Sequence, residues 1–120
     1  MSAPHAARWP FKDPQEAFAC AFDFARELAE GETLSGTPSI TVEVVAGTDA
    51  SPNSIKSGAP VIEGGRVLQR LVGGLPGVTY SLTCIASTSE GNTLARAAIL
   101  PVEVASRWNE YRRVINPTTT

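Results

Sequence analysis

Four clustered carboxylic acids come nearest to a chemical site: Asp23, Glu27, Glu30 and Glu32. A close pair of carboxyl groups could exchange protons as acid and base, and several carboxylate oxygens together could bind calcium. No glycine-bearing ligand loop accompanies these acids in the sequence. The pattern therefore favours a solvated acidic surface over a catalytic or calcium-binding site.

The other residues that could do chemistry are too few and too far apart to form a site. His5 is the single histidine, and the two cysteines are Cys20 and Cys84. This set cannot complete a zinc site. No secretory signal is visible at the N-terminus, so buried, reduced thiols are favoured over a disulfide. We therefore expect no enzymatic activity, no bound metal and no cofactor.

The placement of large aromatic residues gives the sharper signal. Both tryptophans, Trp9 and Trp108, fall outside the predicted core strands. Such side chains need a surface that buries them, which can be the chain's own fold or a neighbouring subunit. Tryptophan, tyrosine and arginine are also frequent anchors of protein interfaces. The residues predicted to make subunit contacts are Trp9, Phe11, Trp108, Tyr111, Arg112 and Arg113.

Length and composition fit one globular domain of 120 residues, 42% of them hydrophobic. No apolar run reaches the roughly 18 residues of a membrane helix. The net charge of −2 gives no reason to expect a nucleic-acid partner. Acids dominate residues 16–49 and arginines dominate residues 107–113. These regions could meet in neighbouring copies of an oligomer, or both could be solvated surface.

The clearest structural element is a β-strand over residues 77–88. Its side chains alternate, which is typical of a strand with one face in a core. The inward face is predicted to carry Tyr80, Leu82, Cys84 and Ala86. Tyr80 resembles the tyrosine near the start of a late strand in immunoglobulin-type sandwiches, although a plain core tyrosine fits equally well.

Other strands follow from the same alternation and from the turns between them. They are predicted at residues 40–45, 60–63, 66–72 and 94–104, with a loop over residues 46–60. In the strand 66–72 we place Val67, Gln69 and Leu71 inward, because the other face would bury Arg70. Pro101 cannot donate a ladder hydrogen bond, so the last strand should lie at a sheet edge or contain a bulge.

Residues 14–30 can be read in two ways. Asp13, Pro14 and Glu16 have the spacing of a helix start, and the alanine content that follows favours a helix. The phenylalanines at alternate positions from Phe18 to Phe24 favour a strand instead. Local sequence leans slightly towards the helix.

The number of short strands and glycine-rich turns predicts an all-β fold, an immunoglobulin-like antiparallel β-sandwich with extended N- and C-terminal arms. We expect an N-terminal arm over residues 1–14, the sandwich over residues 15–105 and a C-terminal tail over residues 106–120.

The order of several short segments resembles a family of small tailed-phage virion proteins with an immunoglobulin-like domain, the fibre-like or head–tail-region structural proteins. The resemblance covers about residues 12–104. The matching segments are Lys12-Asp13-Pro14 with Glu16, the aromatic alternation ending at Asp23-Phe24, Leu28, Gly31-Glu32-Thr33-Leu34, Leu71 with Gly73-Gly74, Gly77-Val78-Thr79-Tyr80, and residues 88–93. Phe24 departs from the tryptophan expected there, and the loop at 46–60 is longer than usual. The resemblance implies a first strand over residues 17–24 and a short helical turn over 25–30.

The resemblance also implies a function. It implies a non-enzymatic structural protein of a tailed phage or prophage virion, docked in multiple copies at the neck or collar or on the capsid through its terminal arms. Implied partners are other virion proteins of the portal or neck, capsid or tail, and further copies in a homo-oligomer. The implied location is the virion, after assembly in the bacterial host cytoplasm. The alternative is an immunoglobulin-like module that binds glycans or attaches to a host surface, but the loops at 46–60 and 88–93 lack aromatic residues.

Overall fold

The computed structural model describes residues 7–105. The strands are β1 (Ala7–Arg8), β2 (Phe18–Asp23), β3 (Leu34–Ala46), β4 (Lys56–Glu63), β5 (Arg66–Leu71), β6 (Thr79–Thr88) and β7 (Thr93–Pro101). Two short 3-10 helices, Ala25–Glu27 and Pro52–Ile55, connect them. Within residues 7–105, no helix has the length and apolar character needed to cross a membrane.

The strands form two sheets. One sheet has the order β1-β7-β6-β3 and the other has the order β2-β5-β4. The short strand β1 runs parallel to β7, while the other neighbouring strands are antiparallel. The prediction of a two-sheet, largely antiparallel β-sandwich is therefore confirmed.

The core lies between the two sheets. As predicted, alternate residues of β6 face it: Tyr80, Leu82, Cys84 and Ala86 are each at most 1% exposed. They meet the buried side chains of β2 and β5 from the opposite sheet. Burial of each large apolar side chain in such a core contributes about 1.5–3 kcal/mol to folding.

The ambiguous segment after Pro14 forms strand β2, as the family resemblance implied. Its residues pair with β5 from Phe18 opposite Leu71 to Asp23 opposite Arg66. A 3-10 turn follows at Ala25–Glu27. The helix favoured by local propensity does not form, because pairing and burial of the phenylalanine face outweigh the small helix preference of alanine.

The alternation in this strand also predicts that Phe18, Cys20 and Phe22 face the core, and this is wrong for Phe18. Cys20 and Phe22 face the core, but Phe18 is 37% exposed. Phe18 shares their face of the strand, yet it is the first residue of β2. It therefore lies at the end of the sheet, where no strand of the opposite sheet covers it fully.

The inward face of β5 was predicted correctly, since Val67, Gln69 and Leu71 are at most 1% exposed. The Gln69 amide donates to the carbonyl oxygens of Gly58, at 3.1 Å, and Arg70, at 3.0 Å. Gly58 lies in the interval where the pairing of β4 with β5 shifts register. The amide nitrogen thus satisfies backbone carbonyls where the ladder is interrupted, while the buried Oε1 of Gln69 has no hydrogen-bond partner among the described residues.

Three strand boundaries differ by three residues or more from those predicted. Strand β3 begins at Leu34 rather than residue 40, and β4 begins at Lys56 rather than residue 60. The early part of β3 contains Gly36, with a φ of 71°, and Pro38, and its register shifts there. These residues break the alternation on which the prediction depended. Strand β4 is an edge strand. The prediction that the last strand lies at an edge or contains a bulge is wrong, because β7 lies between β1 and β6 and pairs with β6 without a register shift. Strand β7 ends at Pro101 rather than residue 104.

Both cysteines are buried and unbonded, as the sequence predicted. Cys20 lies on β2 and Cys84 on β6, in opposite sheets. Burial raises the pKa of the Cys20 thiol to about 12 and that of Cys84 to about 11. Both thiols are therefore protonated and poorly reactive at neutral pH.

The phenol of Tyr80 ties two connecting segments to the core. Its oxygen accepts a hydrogen bond from the Leu75 N–H at 3.0 Å and donates to the Asp49 carboxylate at 2.7 Å. The first of these bonds joins Tyr80 to the backbone five residues upstream. Tyr80 is therefore more than a plain core residue.

The variant Tyr80→Phe tests this linkage. It should lower the free energy of unfolding by about 1–3 kcal/mol, because the Leu75 N–H and the Asp49 carboxylate each lose a partner in a partly buried place. Urea unfolding followed by circular dichroism measures the change. Ser81→Ala, which removes a hydroxyl from the other face of the same strand, should change stability by less than about 0.5 kcal/mol. Equal effects of the two variants would contradict the linkage.

The open seam of the sandwich, a candidate docking site

The sandwich has two long sides, and one of them is closed by side chains. On this side the edge strands β3 and β4 meet. The Lys56 ammonium donates to the Ile40 carbonyl at 2.5 Å, and the Asn53 side-chain oxygen accepts from the Val42 N–H at 3.1 Å. Unpaired backbone groups at a sheet edge invite pairing with another chain. Here two of those groups are already bonded.

On the opposite side, β1 and β2 are the edge strands, and Trp9 lies between the sheets. Its ring centroid is 5.3 Å from that of Phe22, with the rings tilted by 55°. The backbone N–H of Trp9 donates to the backbone carbonyl of Ile99 at 2.9 Å. The sequence allowed Trp9 to pack either on its own sandwich or on a neighbouring subunit. Trp9 packs on its own sandwich.

Two hollows flank this tryptophan, and we call the side that contains them the open seam. The larger has a volume of about 400 Å³ and is lined by Trp9, Pro10, Phe11, Glu16, Phe18, Cys20, Ala21 and Leu100. The smaller, of about 210 Å³, is lined by Ala7, Trp9, Ala21, Phe22, Asp23, Arg96, Ala97 and Ala98. Phe11 is 36% exposed and Phe18 is 37% exposed. The larger hollow is thus an apolar surface with one acidic residue, a composition typical of a docking site.

Lys12 fixes one wall of the open seam. The backbone N–H of Lys12 donates to the Pro101 carbonyl at 2.9 Å, and the backbone carbonyl of Lys12 accepts from the Glu103 N–H at 3.0 Å. The ammonium is buried and donates to the Gly73 carbonyl at 2.6 Å. Burial lowers the pKa of Lys12, while the nearby Glu16 and Asp13 carboxylates oppose that shift. The carbonyl partners explain why a lysine is tolerated here.

Asp13 completes this attachment, which we call the Lys12–Asp13 clasp. One carboxylate oxygen accepts from the Ala105 N–H at 2.6 Å, and the other accepts from the Gln15 N–H at 2.7 Å. The Ala105 bond, followed by the Gln15 bond, lowers the pKa of Asp13. Glu16 accepts from the Asp13 N–H at 2.8 Å. The predicted helix-start hydrogen bonds therefore form, but a turn leading into β2 follows in place of a helix.

The clasp corrects one expectation about the N-terminal arm. Trp9 packs on the sandwich, and Lys12 is fully buried within it. Because the predicted strands and core lie beyond residue 12, the sequence predicts that the sandwich folds without residues 1–12. Their removal would instead uncover part of the core. The division into an arm of residues 1–14, a sandwich and a tail stays a prediction.

At the other end of the sandwich, Glu32 forms a second polar cluster. Its carboxylate accepts from the Thr88 hydroxyl at 2.5 Å, the Asn92 amide at 2.9 Å and the Ala29 N–H at 2.8 Å. The Thr88 bond is the main cause that lowers the pKa of Glu32, followed by the Ala29 and Asn92 bonds. This cluster joins the segment before β3 to the turn between β6 and β7.

Most of the acidic residues considered for chemistry thus form ion pairs or hydrogen bonds within the fold. Glu27 pairs with Arg96 at 3.1 Å, and Arg96 also donates to the Asp23 carbonyl at 3.0 Å. Within residues 7–105, no group of three or more His, Cys, Asp and Glu side chains is placed to hold a metal ion. His5 lies outside the described residues.

The structure brings together only part of the predicted contact set. Trp9 and Phe11 line the same hollow, while the other four residues lie outside the described part of the chain: Trp108, Tyr111, Arg112 and Arg113. Sequence reasoning missed Phe18 as a member of this surface. Its position at the start of β2, next to a turn, was the available signal that it would lie at a sheet end.

Comparison with known proteins gives one family. The family model of the podophage GP4 fiber-tail adaptor protein gp77 matches residues 12–101. The match begins at Lys12 of the clasp and ends with the last residue of β7, so it includes Glu32 and its partners. No protein with a curated description matches the sequence.

The Glu32 cluster gives a prediction about acid stability. Because the folded state holds the Glu32 pKa below its ordinary value of 4.5, the carboxylate contributes stability above that value, and this contribution is lost as the pH falls through the folded-state pKa. Glu32→Gln should flatten the fall in urea midpoint on acidification. Thr88→Val, which removes the main donor, should weaken the same dependence. Parallel acid curves for wild type and both variants would count against this assignment.

Proposed function

The chain belongs to the podophage fiber-tail adaptor family, and from this membership we propose that it joins a fiber to the tail of a podophage virion. In this role it is a non-enzymatic structural subunit. The family match carries the proposal, because it extends over residues 12–101 of 120. Two of the acids that were considered for chemistry instead make structural contacts: Glu27 pairs with Arg96, and Glu32 accepts from the Ala29 N–H.

The immunoglobulin-like classification is part of the proposal. Strands β2, β5 and β4 lie in the order of strands B, E and D of a constant-type domain, and β7, β6 and β3 lie in the order G, F and C. The hydrogen bond from the Leu75 N–H to the Tyr80 phenol adds support. Such a sandwich is a rigid platform whose ends and sides carry contacts to other proteins.

The proposed contact surface consists of the open seam and the terminal segments. Exposed aromatic surface at Phe11 and Phe18 supplies apolar area. The sequence after Ala105 adds Trp108, Tyr111 and two adjacent arginines, residue types that often anchor interfaces. The adaptor occurs in multiple copies, as a homo-oligomer, so each weak contact is repeated around the tail.

The family favours the tail over the two other locations that the sequence allowed, the neck or collar and the capsid surface. Assembly takes place in the cytoplasm of the bacterial host, before the virion is released. Glycan binding receives no support from any particular observation, since the loops at 46–60 and 88–93 contain no aromatic residue.

Incorporation into particles tests the proposal. Combined alanine substitution of Trp108, Tyr111, Arg112 and Arg113 should leave a folded sandwich, because residues 7–105 contain its strands and core. Loss of a large anchor commonly costs about 2 kcal/mol or more, and repetition over copies amplifies the loss. Virions assembled with the variant should therefore lack the adaptor and its fibers.

The matched control replaces Thr118, Thr119 and Thr120 by alanine in the same segment. Protein gels and negative-stain microscopy of purified particles measure occupancy of adaptor and fibers, and circular dichroism verifies folding. Normal occupancy of the folded four-residue variant would show that this segment does not dock the subunit.

A further inference from the structure

We propose that the outer edge of β2 pairs with the same edge of a second copy in the free protein, antiparallel and about a two-fold axis at Cys20. This inference goes beyond the proposed function, because it concerns the protein before assembly and holds whatever the subunit docks on. It follows from the backbone groups that this edge presents, from the features that block the other edges, and from the sequence of the strand.

The outer edge of β2 presents the backbone groups of Ala19 and Ala21. The Phe24 N–H donates to the Gly65 carbonyl on the side of β5, at 2.8 Å, whereas the Asp23 carbonyl accepts from a side chain of β7. Because the N–H and C=O groups of successive residues point to alternate sides of a strand, those of Ala19 and Ala21 point away from β5. Since β2 is the last strand of its sheet, no strand in the described part of the chain pairs with them.

The other edges of the sandwich are blocked. On β3, Lys56 and Asn53 already bond to backbone groups. Strand β4 contains Pro60, which lacks an N–H, and a register shift around Gly58, and β1 has only two residues. Prolines, bulges, charges and short length are the usual means of blocking an edge. Strand β2 contains no proline, its one charged residue is the last, Asp23, and it pairs with β5 without a shift. It is therefore the edge most open to strand pairing.

The sequence of this edge is complementary to itself. Residues 18–22 are Phe18-Ala19-Cys20-Ala21-Phe22, which is the same sequence in both directions. An antiparallel pair centred on Cys20 therefore places Ala19 opposite Ala21 of the second copy, and the two-fold axis repeats this contact. The outward N–H and C=O groups of the two alanines then face each other, as a hydrogen-bonded pair of an antiparallel ladder requires.

The same pairing covers Phe18, which is 37% exposed in the single subunit. Phe18 lies directly opposite Phe22 of the second copy, and cross-strand aromatic pairs of this kind stabilise a sheet. Asp23 lies opposite Ala17 of the second copy, so no like charges meet. The two copies of the sheet β2-β5-β4 join into one continuous sheet. The second copy also runs along both hollows of the open seam, because Ala21 lines each of them.

Sedimentation of the full chain over a range of concentrations tests the inference. We expect a monomer–dimer equilibrium. Ala21→Pro should raise its dissociation constant by about tenfold or more, because each copy loses one outward N–H donor. A proline is tolerated at this position, since that N–H takes no part in the ladder with β5. The matched control, Ala21→Ser, keeps the N–H and should leave the constant within about threefold of wild type.

Hydrogen exchange measured by NMR adds a readout at single residues. The amides of Ala19 and Ala21 should become several-fold better protected as the protein concentration rises. The amide of Ile62, on the distant edge strand β4, should not change. In a mixture of labelled and unlabelled protein, a nuclear Overhauser effect should connect the Phe18 ring of one copy with the Phe22 ring of the other.

Four results would overturn the inference: a monomer at every concentration, a dimer that Ala21→Pro leaves unchanged, a dimer without contact between Phe18 and Phe22 of different copies, or protection of Ala19 and Ala21 that does not depend on concentration. The last result would mean that the edge is covered within one chain. Should Ala21→Pro fail to fold, exchange and ring contacts in the wild-type protein decide. Incorporation into virions is a separate measurement, so failure here leaves the adaptor function standing.

Discussion

The Lys12–Asp13 clasp is the interaction on which the form of this molecule depends. A buried ammonium and a carboxylate must both find partners, because an unpaired charge in a protein interior is costly. The Lys12 ammonium donates to the Gly73 carbonyl, and the Asp13 carboxylate accepts from the Ala105 N–H. Together they join the segment before the first long strand to the end of the last one. The clasp thereby sets the course of residues 7–12 along β7 and the position of Ala105.

The two sides of the sandwich differ as a consequence. Where β3 and β4 meet, Lys56 and Asn53 bond to the backbone of the edge strand. Where β1 and β2 meet, a single tryptophan fills the space, and apolar hollows remain on either side of it. A closed side resists unwanted pairing between sheets, whereas an open apolar side suits specific docking. The proposed adaptor function uses this asymmetry, since the exposed aromatic surface of Phe11 and Phe18 lies on the open side.

The sequence predicted the parts of the fold in which local pattern and burial agree. Alternation identified β6 and its Tyr80 face, and the cost of burying Arg70 identified the correct face of β5. Local propensity failed for β2, because pairing with β5 decides that segment and single-sequence patterns do not contain it. The burial of Lys12 could not be predicted, since lysine is normally exposed and its partner carbonyl lies 61 positions away. The open seam escaped prediction for a related reason: residues from β1, β2 and β7, which are distant in sequence, line its hollows only after the sheets have formed.

The segments that carry the family resemblance stabilise the fold of this chain. Lys12 and Asp13 anchor one end of the sandwich, and Glu32 with Thr88 anchors the other. Under the proposed function, contacts with other virion proteins are made by the surfaces that these anchors orient.

A cryo-electron microscopy reconstruction of the intact virion tests that account most directly. It should contain symmetric copies of the sandwich at the junction of fiber and tail, with the open seam and the C-terminal segment turned towards a neighbouring subunit. Copies on the capsid, or copies whose open side faces solvent, would contradict it.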